Sequence, residues 1–189
     1  MAAFEIKSSC GKARTGSFLS RFDTPSLLMC TRRGFPTPFT LRDLDNLGDS
    51  NTGLLQMSAS DFIDTPEKCI SGEGGLKDFC GLKGRKEAVL VTLRDSTNSQ
   101  SGMPTSDKWV TVQCFSGQKR LDLDKYISMI AAMSPDAAEC LPDEVMFDSS
   151  QKRVKKSVDR CIDFTDACLK ARADGNIPQS THLFGVVAG

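Results

Sequence analysis

Five short, almost unbroken apolar runs set the limits on what this chain can fold into. They lie at residues 27–30, 54–57, 88–93, 137–141 and 183–188. A strand open to water on one face alternates apolar and polar residues, whereas continuous runs of this length suit strands buried on both faces. Stretches with helical spacing separate the runs. The clearest is Gln151–Ala173, where Val154, Val158, Cys161, Ile162, Thr165, Cys168 and Leu169 recur three or four residues apart and predict one apolar stripe. A second helix is predicted over Leu123–Met133. Ile127, Ile130 and Ala131 should face inward there, Asp122 or Asp124 should cap the start, and Ser134-Pro135 should end the helix. Buried strand followed by helix, repeated, is the grammar of a parallel sheet with crossover helices, so an α/β fold follows, barrel or open sheet.

The flanking segments add detail. Residues 4–7 and 16–22 read as short strands about a turn at 8–12, with a corner at Asp23-Thr24-Pro25, which predicts a small amino-terminal antiparallel β cap. Residues 109–115 alternate and run into Ser116-Gly117, a hairpin signal. The Gly- and Lys-rich stretch 69–84 is expected to be an irregular loop. The last apolar run stops at the end of the chain with nothing after it to cover a buried strand. The expectation is therefore a single incomplete domain over 1–189, since a closed eight-stranded barrel typically needs about 250 residues.

Composition bears mainly on partners and metals. Lys and Arg number 24, as do Asp and Glu, so contact with nucleic acid would have to come from a local basic surface. The eight cysteines show no Cys-x2-Cys pair of a structural zinc site. Most lie in apolar runs, where a reduced thiol behaves as a small hydrophobe. No secretory signal or membrane-length apolar run is present, so no transmembrane segment is expected and a cytoplasmic location is the default.

Three segments carry a resemblance: Gly11-Lys12-Ala13-Arg14-Thr15-Gly16 with Thr24-Pro25 behind it, then Arg153-Val154-Lys155-Lys156-Ser157-Val158-Asp159-Arg160, then 183–189. In order and spacing, with the hairpin and the Leu123 helix between them, they resemble the tRNA-guanine transglycosylase (queuine tRNA-ribosyltransferase) family. The resemblance implies a TIM-type (β/α)8 barrel, here represented by about its first five strands. It also implies exchange of guanine for queuine at the wobble position of tRNAs with GUN anticodons, through an aspartate linked covalently to the ribose. That nucleophile and the family's zinc ligands would fall beyond Gly189. Zinc is thus expected in the complete family protein, and neither metal ligand nor cofactor in this chain.

Where the resemblance can be followed residue by residue, this sequence departs from the catalytic pattern. Leu55-Gln56-Met57-Ser58 corresponds to the family's Leu-Gly-Asn-Thr, placing a thioether where an amide would bond the base. Residues 95–100 correspond to Asp-Ser-Gly-Gly-Phe-Gln, keeping Asp95 and losing both glycines. Ala188 stands where the pattern has Gln. Each hydrogen bond removed from a buried site costs about 1–3 kcal/mol, so the resemblance points to a non-catalytic accessory subunit. Such a subunit would pair as a heterodimer with a catalytic homologue and would contact tRNA, not DNA. The alternatives are a transglycosylase with an altered base pocket and a non-functional truncated form. Asp95 and Asp143 are the remnants of the family pocket. Asp143 reads either as a retained pocket acid or as a strand-end or loop aspartate. Lys152, Arg153, Lys155 and Lys156 are candidate tRNA contacts, with a solvated helix face as the plainer reading. His182, the only histidine, has no triad partners in sequence.

Overall fold

The computed structural model describes residues 3–46, 53–95 and 103–187. Its centre is a parallel five-stranded sheet formed by β4 (Leu28–Cys30), β5 (Leu54–Ser58), β6 (Ala88–Thr92), β9 (Ala137–Glu139) and β10 (His182–Phe184). Each of the five apolar runs supplies one strand. They pair in chain order, β4-β5-β6-β9-β10. The fold is mixed α/β, as the alternation of runs and helical stretches predicted.

Register divides the side chains between two faces. Leu55, Met57, Val89, Val91, Ala138 and Leu183 share one face, and all belong to or pack against the main core. A short helix, α1 (Leu41–Asn46), lies between β4 and β5 in the chain and buries Leu44. The main core takes in Ile70 of α2 (Glu67–Gly72) and Leu76 of α3 (Leu76–Phe79). It also takes in Tyr126, Met129, Ile130 and Met133 of α4 (Leu123–Met133), and Phe164, Cys168 and Ala171 of α5 (Gln151–Ala173). The opposite face carries a polar ladder instead. The Cys30 thiol donates to Gln56 Oε1 (3.0 Å), and Gln56 Nε2 donates to Thr92 Oγ1 (2.9 Å). Burial on both faces is therefore not uniform: β5 and β6 are the deeply covered strands, while the edge strands β4 and β10 are only half-buried apart from the exposed Cys30.

The predicted cap is present as β1 (Phe4–Cys10), β2 (Ala13–Phe18) and β3 (Phe22–Thr24), all antiparallel. Its first turn is tighter than expected. Ser8 to Cys10 stay in the ladder, and Gly11-Lys12 alone reverse the chain, Gly11 at φ +59°. The second strand stops at Phe18 because Leu19 and Ser20 turn through positive φ. The cap docks on the sheet through Phe18, whose ring lies 5.7 Å from that of Phe184, and through an ion pair of Arg21 with Asp136 (2.7 Å).

The β7–β8 hairpin (Trp109–Cys114 and Gly117–Asp122) turns at Phe115-Ser116, one residue before the predicted place. α4 has the predicted bounds. Asp122 caps it by accepting from Lys125 N (2.8 Å), and Ser134 ends it in a left-handed conformation. Its buried face is rotated from the expectation: Tyr126, Met129, Ile130 and Met133 are buried, while Ile127 and Ala131 are half-exposed. The stretch 69–84 is not a plain loop. Two short helices bury Ile70 and Leu76, with Gly74 and Gly75 at φ +101° and +111° turning the chain between them. A Cβ on Gly75 would lie 2.9 Å from the Met133 carbonyl oxygen, so the glycines permit the helix contact rather than preventing helix formation.

Candidate functional site

In parallel sheets with crossover helices, ligands bind beyond the carboxyl ends of the strands. A cavity of about 470 Å³ lies there. Arg32 and Arg33 follow β4, Ser60 and Asp61 follow β5, Arg94 and Asp95 follow β6, and Met103, Gln113, Cys114 and Phe115 close the side. The Arg33 backbone N–H donates to Asp61 (3.2 Å), and its guanidinium lies 5.8 Å from the ring centre of the exposed Phe115. Arg94 is ion-paired with Glu144. Gly34, at φ +89°, lets this arginine loop descend onto Cys80, whose Cβ would stand 2.7 Å from any added side-chain carbon. Arg94 is balanced by Glu144, which leaves the Arg32 and Arg33 guanidiniums beside Asp61 and Asp95 to meet an anionic or electron-rich planar guest.

Asp95 lines this cavity, but Asp143 is not among the residues that do. Asp143 is fully buried in an ionic cluster. Arg153 grips both of its carboxylate oxygens, Nη1 to Oδ2 at 2.8 Å and Nη2 to Oδ1 at 2.6 Å, and Arg160 Nη1 donates to Oδ2 at 3.0 Å. Both arginines also donate to Thr105 Oγ1, at 3.0 and 2.8 Å, and Arg160 Nε reaches Asp107 at 2.7 Å. Burial alone would raise the Asp143 pKa, but the hydrogen bonds from Arg153, Arg160 and Thr105 outweigh it and hold the carboxyl below its ordinary value. The cluster accounts for the spacing of the Arg153–Arg160 motif. Two arginines seven residues apart lie on one face of a helix, and here they close on one acid and on the segment leading into the hairpin.

The sequence grouped Arg153 with Lys152, Lys155 and Lys156, and the structure separates it from them. Lys152 and Lys155 are exposed, Lys156 is exposed with Asp107 at 3.5 Å, and Arg153 folds back onto Asp143. Met57 also needs correction as a pocket residue. It is fully buried on the helix-covered face, and its Cε lies near Gly34 alongside Cys80, so no thioether from β5 lines the cavity. Residues 96–100 and Ala188, where the other departures from the catalytic pattern lie, are outside the described residues. His182 sits on the edge strand β10, its backbone N–H bonded to the Asp136 carbonyl (3.0 Å). Five of the eight cysteines are buried and free, while Cys10, Cys30 and Cys69 are exposed. Among the described residues no three His, Cys, Asp or Glu side chains converge to hold a metal, and no helix is long and apolar enough to cross a membrane.

Sequence reasoning missed Arg32, Arg33, Asp61 and Arg94. Their signal was position, since each follows closely on an apolar run that became a strand. It also missed Glu139. That side chain is largely buried at the end of β9, accepts a hydrogen bond from Leu93 N and has its pKa pushed up to about 7. Burial is the main cause, opposed by the Leu93 N–H and aided by the charge of Glu144. A carboxylate inside the run 137–141 was the available sign.

The model of the queuine tRNA-ribosyltransferase family matches residues 9–189. The chain belongs to that family. Relatives named queuine tRNA-ribosyltransferase accessory subunit 2 align over most of it. The one from Drosophila grimshawi is 29% identical over 95% of this chain and 42% of its own length. The human one is 27% identical over 88% and 40%, and that of Trichoplax adhaerens 28% over 88% and 45%. The chain thus spans between 40% and 45% of the length of these relatives. In this chain the Arg153–Arg160 segment closes the Asp143 cluster.

Proposed function

We propose that this chain serves as a non-catalytic accessory subunit in queuine modification of tRNA, pairing with a catalytic family member in the cytoplasm. The observation that carries the reading is the fate of Asp143. One of the two remnants of the family pocket is wholly engaged by Arg153 and Arg160 and stands apart from the cavity that holds the other, Asp95. The names of the relatives support the same reading. Zinc, implied by the family, would take its ligands from outside the described residues.

Strand order supports a barrel as the finer description. Five parallel strands in chain order, with α2 to α5 packed into one core against a single face, fit the wall of a (β/α)8 barrel. A groove of about 290 Å³ beside Val158, Ile162, Val186 and Val187 is where a further strand–helix unit would pack.

Two measurements test the function. Labelled-guanine exchange into tRNA should be absent with this polypeptide alone, and the polypeptide should co-elute with a co-expressed catalytic homologue. Exchange by this chain alone would refute the accessory role. The second concerns charge. The first turns of α5 hold three exposed lysines and no acid, although the amino end of a helix disfavours cations. An approaching polyanion would offset that cost. Replacing Lys152, Lys155 and Lys156 together with Glu should weaken tRNA binding and lower the salt-dependence slope by about 0.9 for each phosphate that is no longer neutralised. An unchanged slope would return these lysines to the role of a solvated face.

A further inference from the structure

Phe147 is fully exposed, and Met146 beside it is partly so. Their turn lies between β9 and α5, on the carboxyl side of the sheet where this architecture presents ligand-binding groups. An aromatic side chain of this size can bury about 150–250 Å², so Phe147 has that surface to offer a partner. The turn that carries it is held at both ends. Asp143 is locked by Arg153 and Arg160 on one side. On the other, Ser150 caps α5 by accepting from Arg153 N (3.3 Å), and Ser149 N donates to the Met146 carbonyl (3.0 Å). Phe147 therefore projects from a fixed frame, the condition for a preorganised contact.

The charge around it selects the partner. Lys152 and Lys155 follow on the first turns of α5, exposed and with no ion pair among the described residues. The positive end of that helix adds to their field, and Asp148 is the turn's own opposing carboxylate. An exposed ring on the turn that leads into such cations can bind unpaired nucleotides, the ring stacking on a base and the cations taking its phosphates. A protein partner matched to Phe147 and Met146 alone would give the lysines no task.

We propose that Phe147, with Lys152 and Lys155, forms a stacking site for an unpaired nucleobase of RNA, separate from the arginine-lined cavity. The inference rests on the reading that this protein contacts tRNA. The probes are an unmodified tRNA transcript and a single-stranded RNA oligonucleotide carrying 2-aminopurine, titrated against the polypeptide. Circular dichroism establishes that each variant is folded. Phe147→Ala should weaken binding of both probes about tenfold and abolish quenching of 2-aminopurine, while Phe147→Tyr should retain both. If the lysine variants weaken binding but Phe147→Ala leaves affinity and quenching unchanged, the stacking site is overturned and tRNA contact stands. Failure of the unsubstituted protein to bind either RNA overturns both. If Phe147→Ala instead disrupts co-elution with the catalytic homologue without altering RNA binding, the ring belongs to a protein interface and the proposal falls.

Discussion

Replacing Asp143 with Ala should destabilise the protein by about 3–5 kcal/mol, because it removes the buried acid shared by Arg153 and Arg160 and leaves the Arg160 guanidinium only the exposed Asp107. Arg160 is the decisive partner. Its side chain is 8% exposed, against 29% for Arg153, which can turn part of its charge to water. Thr105 and Asp107 lose their organising centre at the same time, so hydrogen exchange should quicken over residues 103–107 as well as at the start of α5. Asp143→Asn keeps the shape but not the charge and should recover only a minor share. Joint replacement of Asp143, Arg153 and Arg160 with apolar residues of similar volume should cost much less than Asp143→Ala alone. Urea denaturation distinguishes these cases. A loss below about 1 kcal/mol for Asp143→Ala would mean that water already screens the cluster. The acid dependence has a definite sign. The folded pKa of Asp143 is lowered, so its stabilisation is present above the ordinary carboxylate value near 3.8 and disappears as pH falls below it.

Glu139 should produce the opposite dependence in a different window. Its folded pKa of about 7 lies above the unfolded value of 4.5, so the folded state favours the protonated acid. Stability should be highest below pH 4.5 as far as this group is concerned and decline as pH rises toward 7 and beyond, by about 3 kcal/mol in all. Glu139→Gln retains an acceptor for the Leu93 N–H without the ionisation. It should flatten the denaturation midpoint between about pH 5 and 8 and exceed the unsubstituted protein in stability at the upper end of that range. A substituted protein with the same slope there would assign the dependence to another group. Asp143 does not confuse the measurement, because its lowered pKa places it below this interval.

These two acids also show where sequence reading reached and where it stopped. The five strands were legible because continuous apolar runs report burial directly, and α5 because its spacing persists along the whole helix. What periodicity could not give was which neighbour covers which part of a stripe. Val158, Ile162 and Leu169 belong to the predicted stripe and are exposed, whereas Arg160 and Ser157 are buried. Arg160 is inside because Asp143 is, a pairing between distant residues that no hydropathy pattern encodes. Met57 was read as a pocket residue from the resemblance alone, which does not say which face of β5 the packed helices cover. Glycines misled in another way, since those at 74 and 75 join short helices instead of marking a loop. The cavity arginines were invisible as a group because they come from separate strand ends.

Strand pairing in chain order has a consequence for synthesis on the ribosome. Each new strand finds its neighbour already in place, so the sheet can lengthen one unit at a time without a strand waiting for a later partner. The amino-terminal cap is the exception. Its anchors, Asp136 and Phe184, are made more than a hundred residues after Arg21 and Phe18. The cap is therefore made before the sheet and secured only after it, and its exposed edge must stay in solution throughout that interval.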